Sequence, residues 1–267
     1  MKYSTAEMMA VASARVLKNE DVCFVGIGAP SVACNLARLT HAPNITLIYE
    51  SGTIGAKPHV LPLSIGDSEL SETALTTVSV PEMFQYWLQG GRISIGFLGG
   101  AQIDRFGNIN SSVIGSYEHP KVRLPGGGGA PEIASLCVQT YVVMSQTQRT
   151  FVERVDFITS FGYGSGGDHR QRLGIGTLGP TLVVTDLCLL RPDPQTKELI
   201  VTSIHQGITR EDIAQHTGWP IRFADAVEQT PPPTEMELAV LRDLHARTEQ
   251  SHHGKPTGKA TPHAGAN

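Results

Sequence analysis

Short apolar runs that end on glycine or polar residues recur along this chain and predict strands that alternate with helices. The clearest run, at residues 45–49, is rich in β-branched and aromatic residues and is typical of a strand buried on both faces. Elsewhere apolar residues recur at helical spacing, first over residues 6–17 and last over residues 234–250. The first strand, its glycine turn and the next helix form a βα unit, which is typical of a parallel sheet.

The remaining elements follow from the same patterns. Helices are predicted over residues 6–17, 31–39 (capped by Ser31), 81–89, 132–136, 209–216 and 234–250. Strands are predicted over residues 21–25, 45–49, 93–98, 140–145, 155–158 and 182–185, with a small antiparallel pair at 187–190 and 199–202 in the C-terminal third. Residues 56–80 predict loops that lie over the site. We expect one domain over residues 1–250 and a disordered tail over 251–267.

Glu50 directly follows the strand at residues 45–49, and Gly52 and Gly55 come after it. These glycines give the backbone the freedom for a sharp turn. Open α/β sheets bind ligands at the carboxyl ends of their parallel strands, so a carboxylate held there is suited to be a nucleophile or a general base. On the local pattern alone, Glu50 could equally cap a following helix or pair with an arginine.

A second strand, at residues 93–98, also ends on glycines. Gly99 and Gly100 follow it, with Gln102 and Asn108 a few residues beyond. Backbone amides freed by paired glycines can donate to an oxyanion, and amide side chains can bind a polar substrate. A purely structural turn would need the glycines but not the amide side chains, so this segment is a candidate for the binding site.

Four consecutive glycines at residues 126–129 form a third glycine loop before a predicted helix. Such a run is costly in backbone entropy, and the helix N-terminus after it would attract phosphate or carboxylate. No Lys-Ser or Lys-Thr pair follows, so this is not a Walker loop. A flexible linker is disfavoured because the loop joins compact elements. Gly127, Gly128 and Gly129 are therefore further candidates for substrate binding.

Gly26 and Gly28 follow the first predicted strand and resemble the opening of a dinucleotide fingerprint. The third glycine of that fingerprint is missing. A tight strand-to-helix turn at a ligand-facing edge is therefore the favoured interpretation, with a nicotinamide or flavin site as the alternative.

Composition narrows the classes of ligand. The 21 Lys and Arg residues against 25 Asp and Glu give a net charge of −4, which favours neither nucleic acid nor an anionic membrane as a partner. The four cysteines have no C-x-x-C spacing, so we expect reduced, buried thiols and no metal site. No apolar stretch reaches membrane-spanning length and no apolar leader begins the chain, so we expect a soluble, unprocessed cytoplasmic protein.

Three elements in combination resemble a known family: the motif Glu50-Ser51-Gly52, the segment at residues 99–110 and the loop at residues 126–130. They are similar to the β subunit of family I CoA-transferases, more closely to the glutaconate CoA-transferase type and, within it, to the 3-oxoadipate branch. The likeness runs from about Tyr3 to Arg247. In that family the glutamate of the E-S-G motif is the catalytic nucleophile, which implies that role for Glu50. It also implies an oxyanion role for Gly99 or Gly100.

The resemblance implies an open, mostly parallel α/β sheet flanked by helices and shared by two subunits, with the active site at their interface. The expected partner is a homologous α subunit, in a heterodimer or a larger assembly. No tightly bound cofactor is implied, because the coenzyme A thioester is a substrate. CoA would move through an acyl-glutamyl anhydride and a glutamyl-CoA thioester on Glu50, which keep the energy of the thioester in covalent form.

The motifs do not fix the two acids. The family favours succinyl-CoA as donor and a 3-oxo dicarboxylate such as 3-oxoadipate as acceptor, in the degradation of aromatic compounds, with glutaconate and acetyl-CoA next. The distal carboxylate needs a cation, from Lys57, Arg105 or the α subunit. Two other functions stay open: a CoA-thioester hydrolase on the same fold, and a non-catalytic nucleotide-binding subunit that uses Gly26 and Gly28.

Overall fold

The computed structural model describes residues 2–253 of the chain. Its strands are β1 (Val22–Phe24), β2 (Thr46–Ile48), β3 (Thr53–Ile54), β4 (Thr76–Thr77), β5 (Ile95–Leu98), β6 (Gln102–Ile103), β7 (Ile109–Asn110), β8 (Val113–Gly115), β9 (Pro120–Arg123), β10 (Gln139–Val143), β11 (Pro180–Val184), β12 (Cys188–Pro192), β13 (Leu199–Ile204) and β14 (Arg222–Gln229). Its helices are α1 (Thr5–Arg15), α2 (Ala29–Leu39), α3 (Ser68–Glu72), α4 (Val80–Glu82), α5 (Ala130–Leu136), α6 (His169–Arg172), α7 (Arg210–Gln215) and α8 (Glu235–His253). A π-helix over Met83–Leu88 continues α4.

One ten-stranded sheet runs through the molecule in the order β14-β13-β12-β11-β10-β5-β1-β2-β3-β4. Its five central strands, β11, β10, β5, β1 and β2, are all parallel. β12 pairs antiparallel with both of its neighbours, and β3 pairs antiparallel with β2 and β4. The predicted open, mostly parallel α/β sheet is confirmed, as is the antiparallel pair in the C-terminal third.

Apolar layers cover both faces of the sheet. Leu47 of β2 belongs to the layer formed with α1, α2 and α8, and Ile48 belongs to the layer formed with the π-helix and α5. Both side chains are fully buried, and burial of such a side chain stabilises the fold by about 1.5–3 kcal/mol. β2 is therefore held from two sides, which makes its carboxyl end a rigid support for the residue that follows.

Two predictions of strands were wrong or incomplete. Residues 155–158 form no strand; instead the carboxylate of Asp156 accepts hydrogen bonds from Gln102 Nε2 and from the backbone N–H of Gly115, at 3.1 and 2.9 Å. Side-chain bonds rather than a strand ladder thus fix this segment. β14 was not predicted, because it is an edge strand whose residues are mostly exposed and show no apolar alternation.

Helix boundaries also differ from the predictions. α2 begins before Ser31, with Gly28 as its N-cap at a φ of +84° and Pro30 in its first turn. Ser31 is buried in the helix instead of capping it. The segment predicted as loops, residues 56–80, contains α3 and β4. Residues 251–253 of the predicted tail belong to α8, and the rest of that prediction lies outside the described residues.

No helix within residues 2–253 is both long enough and apolar enough to cross a lipid bilayer.

Candidate active site

Glu50 occupies the corner of a tight turn between β2 and β3. The carbonyl of Tyr49 accepts a hydrogen bond from the N–H of Gly52 at 2.9 Å, which closes a four-residue β-turn with Glu50 as its second residue. The chain then returns as β3, which pairs with β2. The turn lies at the carboxyl edge of the parallel strands, where this architecture binds ligands.

Gly52 is the residue that makes this turn possible. Its φ is +101°, a conformation that L side chains rarely adopt. A Cβ at this position would also collide with the carbonyl oxygen of Val78. In addition, the Gly52 carbonyl accepts a hydrogen bond from the N–H of Val78 at 2.9 Å. The backbone of the turn is therefore fixed by Gly52 and Val78 and not by the side chain at position 50.

The alternation of β2 determines where Glu50 points. Tyr49 is fully buried on the α2 side of the sheet, where its hydroxyl lies 3.2 Å from Ser31 Oγ and burial raises the pKa of its phenol to about 12. Successive side chains in a strand point to opposite faces. Glu50 therefore projects to the face of Ile48, where the π-helix and α5 pack.

The glycine loop reaches Glu50 on that face. A Cβ added to Gly129 would lie 3.3 Å from Glu50 Oε1 and 2.6 Å from Cζ of Phe84. Gly129 is the N-cap of α5, and Phe84 is part of the π-helix. The structure thus brings together the E-S-G turn, the four-glycine loop and an aromatic ring that the sequence analysis did not single out. Only a residue without a side chain fits between the ring and the carboxylate.

The carboxylate of Glu50 is unpaired. It makes no hydrogen bond or ion pair with any described residue, so it neither caps a helix nor pairs with an arginine. Burial raises its pKa, and the carboxylate of Glu132 in the first turn of α5 raises it further. A half-buried carboxylate with a raised pKa and no partner is more basic and more nucleophilic than one held in an ion pair.

Two hydroxyl groups beside Glu50 also lack partners. Ser51 Oγ and Thr53 Oγ1 are buried and form no hydrogen bond within the described chain. A buried hydroxyl without a partner costs about 1–3 kcal/mol. These two groups are the polar atoms at the turn that a ligand or an ordered water molecule can still engage.

Gly99 and Gly100 lie at the same edge of the sheet but not against Glu50. They follow β5, which is separated from β2 by β1, so they are two strand spacings away, about 10 Å. A Cβ on Gly100 would collide with Ile109 Cγ2, so close packing against β7 requires this glycine. The oxyanion role of Gly99 or Gly100 stays a prediction, whereas Gly129 is the glycine that the structure places in contact with Glu50.

Gly26 and Gly28 follow β1, between the ends of β2 and β5. A Cβ on Gly26 would meet only Pro30, at 4.0 Å, and one on Gly28 would meet nothing within 4 Å. This glycine turn therefore leaves open space at the carboxyl edge of the sheet. Gly127 and Gly128 belong to the loop that reaches Glu50, and Gly128 has a left-handed φ of +52° with open space beside it. Binding roles for these four glycines stay predictions.

Gln102 and Asn108 are committed to bonds within the chain. Gln102 Oε1 accepts hydrogen bonds from Asn110 Nδ2 and from the N–H of Asp156. Asn108 Nδ2 donates to Asp104 and to the carbonyl of Gly164, while its Oδ1 accepts from two glycine N–H groups. Both amide side chains therefore join the 102–110 segment to the loops packed beside it.

Asn108 also lies at the wrong edge of the sheet for contact with Glu50. The neighbouring Gly107 packs against Pro180, the first residue of β11, and so lies at the amino edge. Arg105 is at this edge too, because its carbonyl accepts from the N–H of Leu199 at the start of β13. Its guanidinium pairs with Glu153 at 3.2 Å. A substrate that reaches both Glu50 and Asn108 would have to cross the sheet.

Lys57, the other basic candidate, is also remote from Glu50. β3 runs away from the turn, and the next residues, Gly55 and Ala56, bond back to the carbonyl of Leu47 in β2. Lys57 is exposed beyond them. The pKa of Glu50 is correspondingly raised by burial and by Glu132, with no cation lowering it. The described residues therefore supply no positive charge at the Glu50 turn.

Glu50 is on an open part of the surface and does not line any of the four main cavities. The largest cavity, about 1080 Å³, lies beside Arg105, Asn108 and His169, on the other side of the 102–110 segment. Within residues 2–253, no three His, Cys, Asp or Glu side chains lie close enough together to bind a metal ion. All four cysteines are buried free thiols.

Three residues of the site were missed in the sequence: Phe84, Val78 and Glu132. Phe84 lies in a short apolar helix after Pro81, and nothing in that pattern indicates that its ring faces a glycine loop. Glu132 carried a weak signal, because an acidic residue directly after a glycine run is close to whatever the loop binds.

The fold and this site together define the class of protein. Residues 6–216 match the model of the coenzyme A transferase family. The chain belongs to the coenzyme A transferase family, as the three motifs predicted.

Particular relatives refine this assignment. The β subunit of the 3-oxoadipate CoA-transferase of Pseudomonas knackmussii is 61% identical, over 94% of this chain and 96% of the relative. The β subunit of the glutaconate CoA-transferase of Acidaminococcus fermentans is 37% identical, over 88% of this chain and 91% of the relative. The crystal structure of glutaconate coenzyme A-transferase from Acidaminococcus fermentans superposes with a TM-score of 0.85 at 34% identity, covering 90% of this chain and 94% of that one.

Proposed function

We propose that this chain is the β subunit of a CoA-transferase that moves CoA from succinyl-CoA to 3-oxoadipate, together with a homologous α subunit. The observation that carries the proposal is the unpaired, half-buried carboxylate of Glu50, held at a rigid turn against Gly129. The identity of 61% to the β subunit of a 3-oxoadipate CoA-transferase supports this choice of substrate and partner.

Glu50 begins the reaction as the nucleophile. One carboxylate oxygen attacks the thioester carbon of succinyl-CoA, the carbon–sulfur bond breaks, and a mixed anhydride and free CoA thiolate form. The thiolate then attacks Cδ of Glu50, succinate leaves, and Glu50 becomes a glutamyl-CoA thioester. A raised pKa favours the first step because it makes the carboxylate a better nucleophile.

The second half runs these steps in reverse with the new acid. A carboxylate of 3-oxoadipate attacks Cδ of Glu50 and expels CoA thiolate, which gives a second mixed anhydride. The thiolate attacks the acyl carbon of that anhydride, and 3-oxoadipyl-CoA leaves while the Glu50 carboxylate is restored. Each step passes through a tetrahedral oxyanion, for which backbone N–H groups of a glycine loop are suitable donors. The CoA thioester is a substrate, and no resident cofactor takes part.

The open site explains why we assign an α subunit. Glu50 is half-exposed, and its surroundings lack the positive charge that the distal carboxylate of a dicarboxylic acid needs. Neither Lys57 nor Arg105 is positioned to supply it. We infer that the α subunit covers the Glu50 turn and brings the cation. CoA transfer by the purified single chain would disprove this. The four buried free thiols also support a cytoplasmic location.

The covalent intermediate gives the decisive test. The reconstituted complex is incubated with succinyl-CoA and no acceptor, and its peptides are analysed by mass spectrometry. We expect the peptide with Glu50 to gain the mass of CoA, and borohydride to reduce this thioester to an alcohol. Glu50→Gln is the control that should carry no adduct. An adduct on a different residue would refute the assignment.

The acceptor needs its own test, because the match to glutaconate CoA-transferase at a TM-score of 0.85 supports glutaconate as the second candidate. Initial rates are compared for 3-oxoadipate, glutaconate and the monocarboxylate acetoacetate. With a cation for the distal carboxylate, 3-oxoadipate should exceed acetoacetate in kcat/KM by roughly 10²-fold, equivalent to about 3 kcal/mol of charge-assisted contacts. Equal use of acetoacetate would overturn the dicarboxylate assignment but not the transferase mechanism.

A further inference from the structure

Phe84 is placed at the site by an unusual helix. The N–H of Gln89 bonds to the carbonyl of Phe84 at 2.9 Å, five residues back along the chain, which is the π-helical spacing. Met83 and Leu88 of the same segment are fully buried and anchor it in the core. π-helical turns are rare and occur frequently at functional sites. Here the turn determines which way the ring of Phe84 faces.

The ring lies between the core and the site. One side packs edge-to-face on Phe24 of β1, with the ring centroids 5.8 Å apart and an interplanar angle of 62°. The far end of the ring, Cζ and Cε1, meets Gly129, and Glu50 Oε1 approaches the same point of Gly129. Phe84 itself is only half-buried. Its ring therefore forms an apolar wall beside the carboxylate that carries the acyl group and then CoA.

We propose that Phe84 is a positioning residue that keeps water away from the activated Glu50 carbonyl and so sets the ratio of CoA transfer to hydrolysis. This inference rests on the proposed function. It follows from the need of that chemistry: the glutamyl-CoA thioester must wait for an acceptor acid, and each waiting intermediate is open to water. The described residues offer the carboxylate no polar partner, and the ring fills the space on one side of it.

The reaction that Phe84 suppresses is simple. Water attacks Cδ of the glutamyl-CoA thioester, the carbon–sulfur bond breaks, and one proton of the water passes to the leaving thiolate. The products are the Glu50 carboxylate and free CoA. Water can likewise cleave the acyl-glutamyl anhydride into succinate and Glu50. Removing the ring opens a space that water can occupy beside Cδ, which should increase the rate of these reactions relative to attack by the acceptor.

The test uses the full αβ complex with Phe84→Ala, Phe84→Leu and, as matched control, Tyr86→Ala. Tyr86 is an aromatic residue of the same π-helix whose side chain is mostly exposed. CoA release from succinyl-CoA is measured with and without acceptor, and gel filtration checks that the subunits associate. We expect Phe84→Ala to raise the ratio of hydrolysis to transfer by about tenfold or more, equivalent to ~1.4 kcal/mol of relative barrier.

Phe84→Leu keeps apolar bulk at the same position, so its ratio should lie between wild type and Phe84→Ala, and Tyr86→Ala should leave the ratio unchanged. The lifetime of the glutamyl-CoA adduct without acceptor should shorten in the same order. If both Phe84 variants lower transfer and hydrolysis in proportion, the ring has only a structural role and the proposal is wrong. A wild-type complex that transfers CoA to no acid would instead disprove the proposed function, whatever the variants do.

Discussion

Replacing Gly129 with alanine tests whether the glycine loop and Phe84 close on Glu50 as the structure shows. Gly129 has a φ of −82° and a ψ of 0°, which alanine adopts readily, so the change adds only a methyl group. That methyl carbon would lie 2.6 Å from Phe84 Cζ and 3.3 Å from Glu50 Oε1. Carbon atoms in contact normally lie about 3.5–4.0 Å apart, so the ring must move by about 1 Å.

The effect on stability should be small and the effect on catalysis large. The displaced atoms are the free end of a half-buried side chain, so we expect the low end of the overpacking range, about 1 kcal/mol. In a chain of this size that lowers Tm by about 2–4 °C. A displacement of about 1 Å in an active site can cost about 10²-fold in rate, and we expect kcat to fall by that factor. KM should change little, because the lost contacts matter after the substrate has bound.

The assay compares initial rates of CoA transfer and melting curves of the purified complex. Gly176→Ala is the matched control, since a Cβ at this exposed position would meet nothing within 4 Å. A double variant with Phe84→Ala should recover the lost stability, because the new methyl group then occupies vacated space. If Gly129→Ala keeps both the wild-type kcat and the wild-type Tm, the loop does not contact the ring and the carboxylate as described.

Three further substitutions test the turn and its electrostatics. Glu50→Gln should lower transfer by about 10³-fold or more and yet raise Tm at neutral pH, because burial disfavours the ionised carboxylate; this gain should vanish at acid pH, where the carboxyl is protonated in the folded and unfolded states alike. A lower Tm at neutral pH would contradict the raised pKa. Glu132→Gln removes a repulsion that raises the pKa of Glu50, so the acid limb of the kcat profile should move to lower pH, and an unchanged limb would exclude the interaction. Gly52→Ala drives a methyl group into the Val78 carbonyl at a φ of +101° and should cost more than about 3 kcal/mol, measured by chemical denaturation; a near-normal unfolding midpoint would disprove the turn.

The parallel core was predictable because its strands are buried on both faces. β2, β5 and β10 each read as a continuous apolar run, which is a strong signal. β14 gave no such signal, since an edge strand needs few apolar residues. Residues 155–158 misled in the opposite sense: Val155 and Ile158 are apolar, but the segment is held by the hydrogen bonds of Asp156 and never joins the sheet.

The site was predictable in its parts and not in its assembly. Glu50 and the four-glycine loop could be recognised as chemically significant from local pattern and family resemblance. That Gly129 meets Glu50, while Asn108 and Arg105 lie at the opposite edge, depends on how α5 and the 102–110 segment pack on the sheet. The position of Phe84 depends on a π-helical turn, for which the sequence carries no reliable pattern.

The turn at residues 49–52 separates the scaffold from the reagent. Gly52 and Val78 hold its backbone through conformation and a main-chain hydrogen bond, and neither depends on the side chain at position 50. Natural selection, or an engineer, can therefore exchange that side chain for one of different length or chemistry without rebuilding the loop. Glu50→Asp would withdraw the carboxylate by one methylene from Gly129, and Glu50→Cys would present a thiol at the same corner. The fold in this sense is a holder for interchangeable nucleophiles.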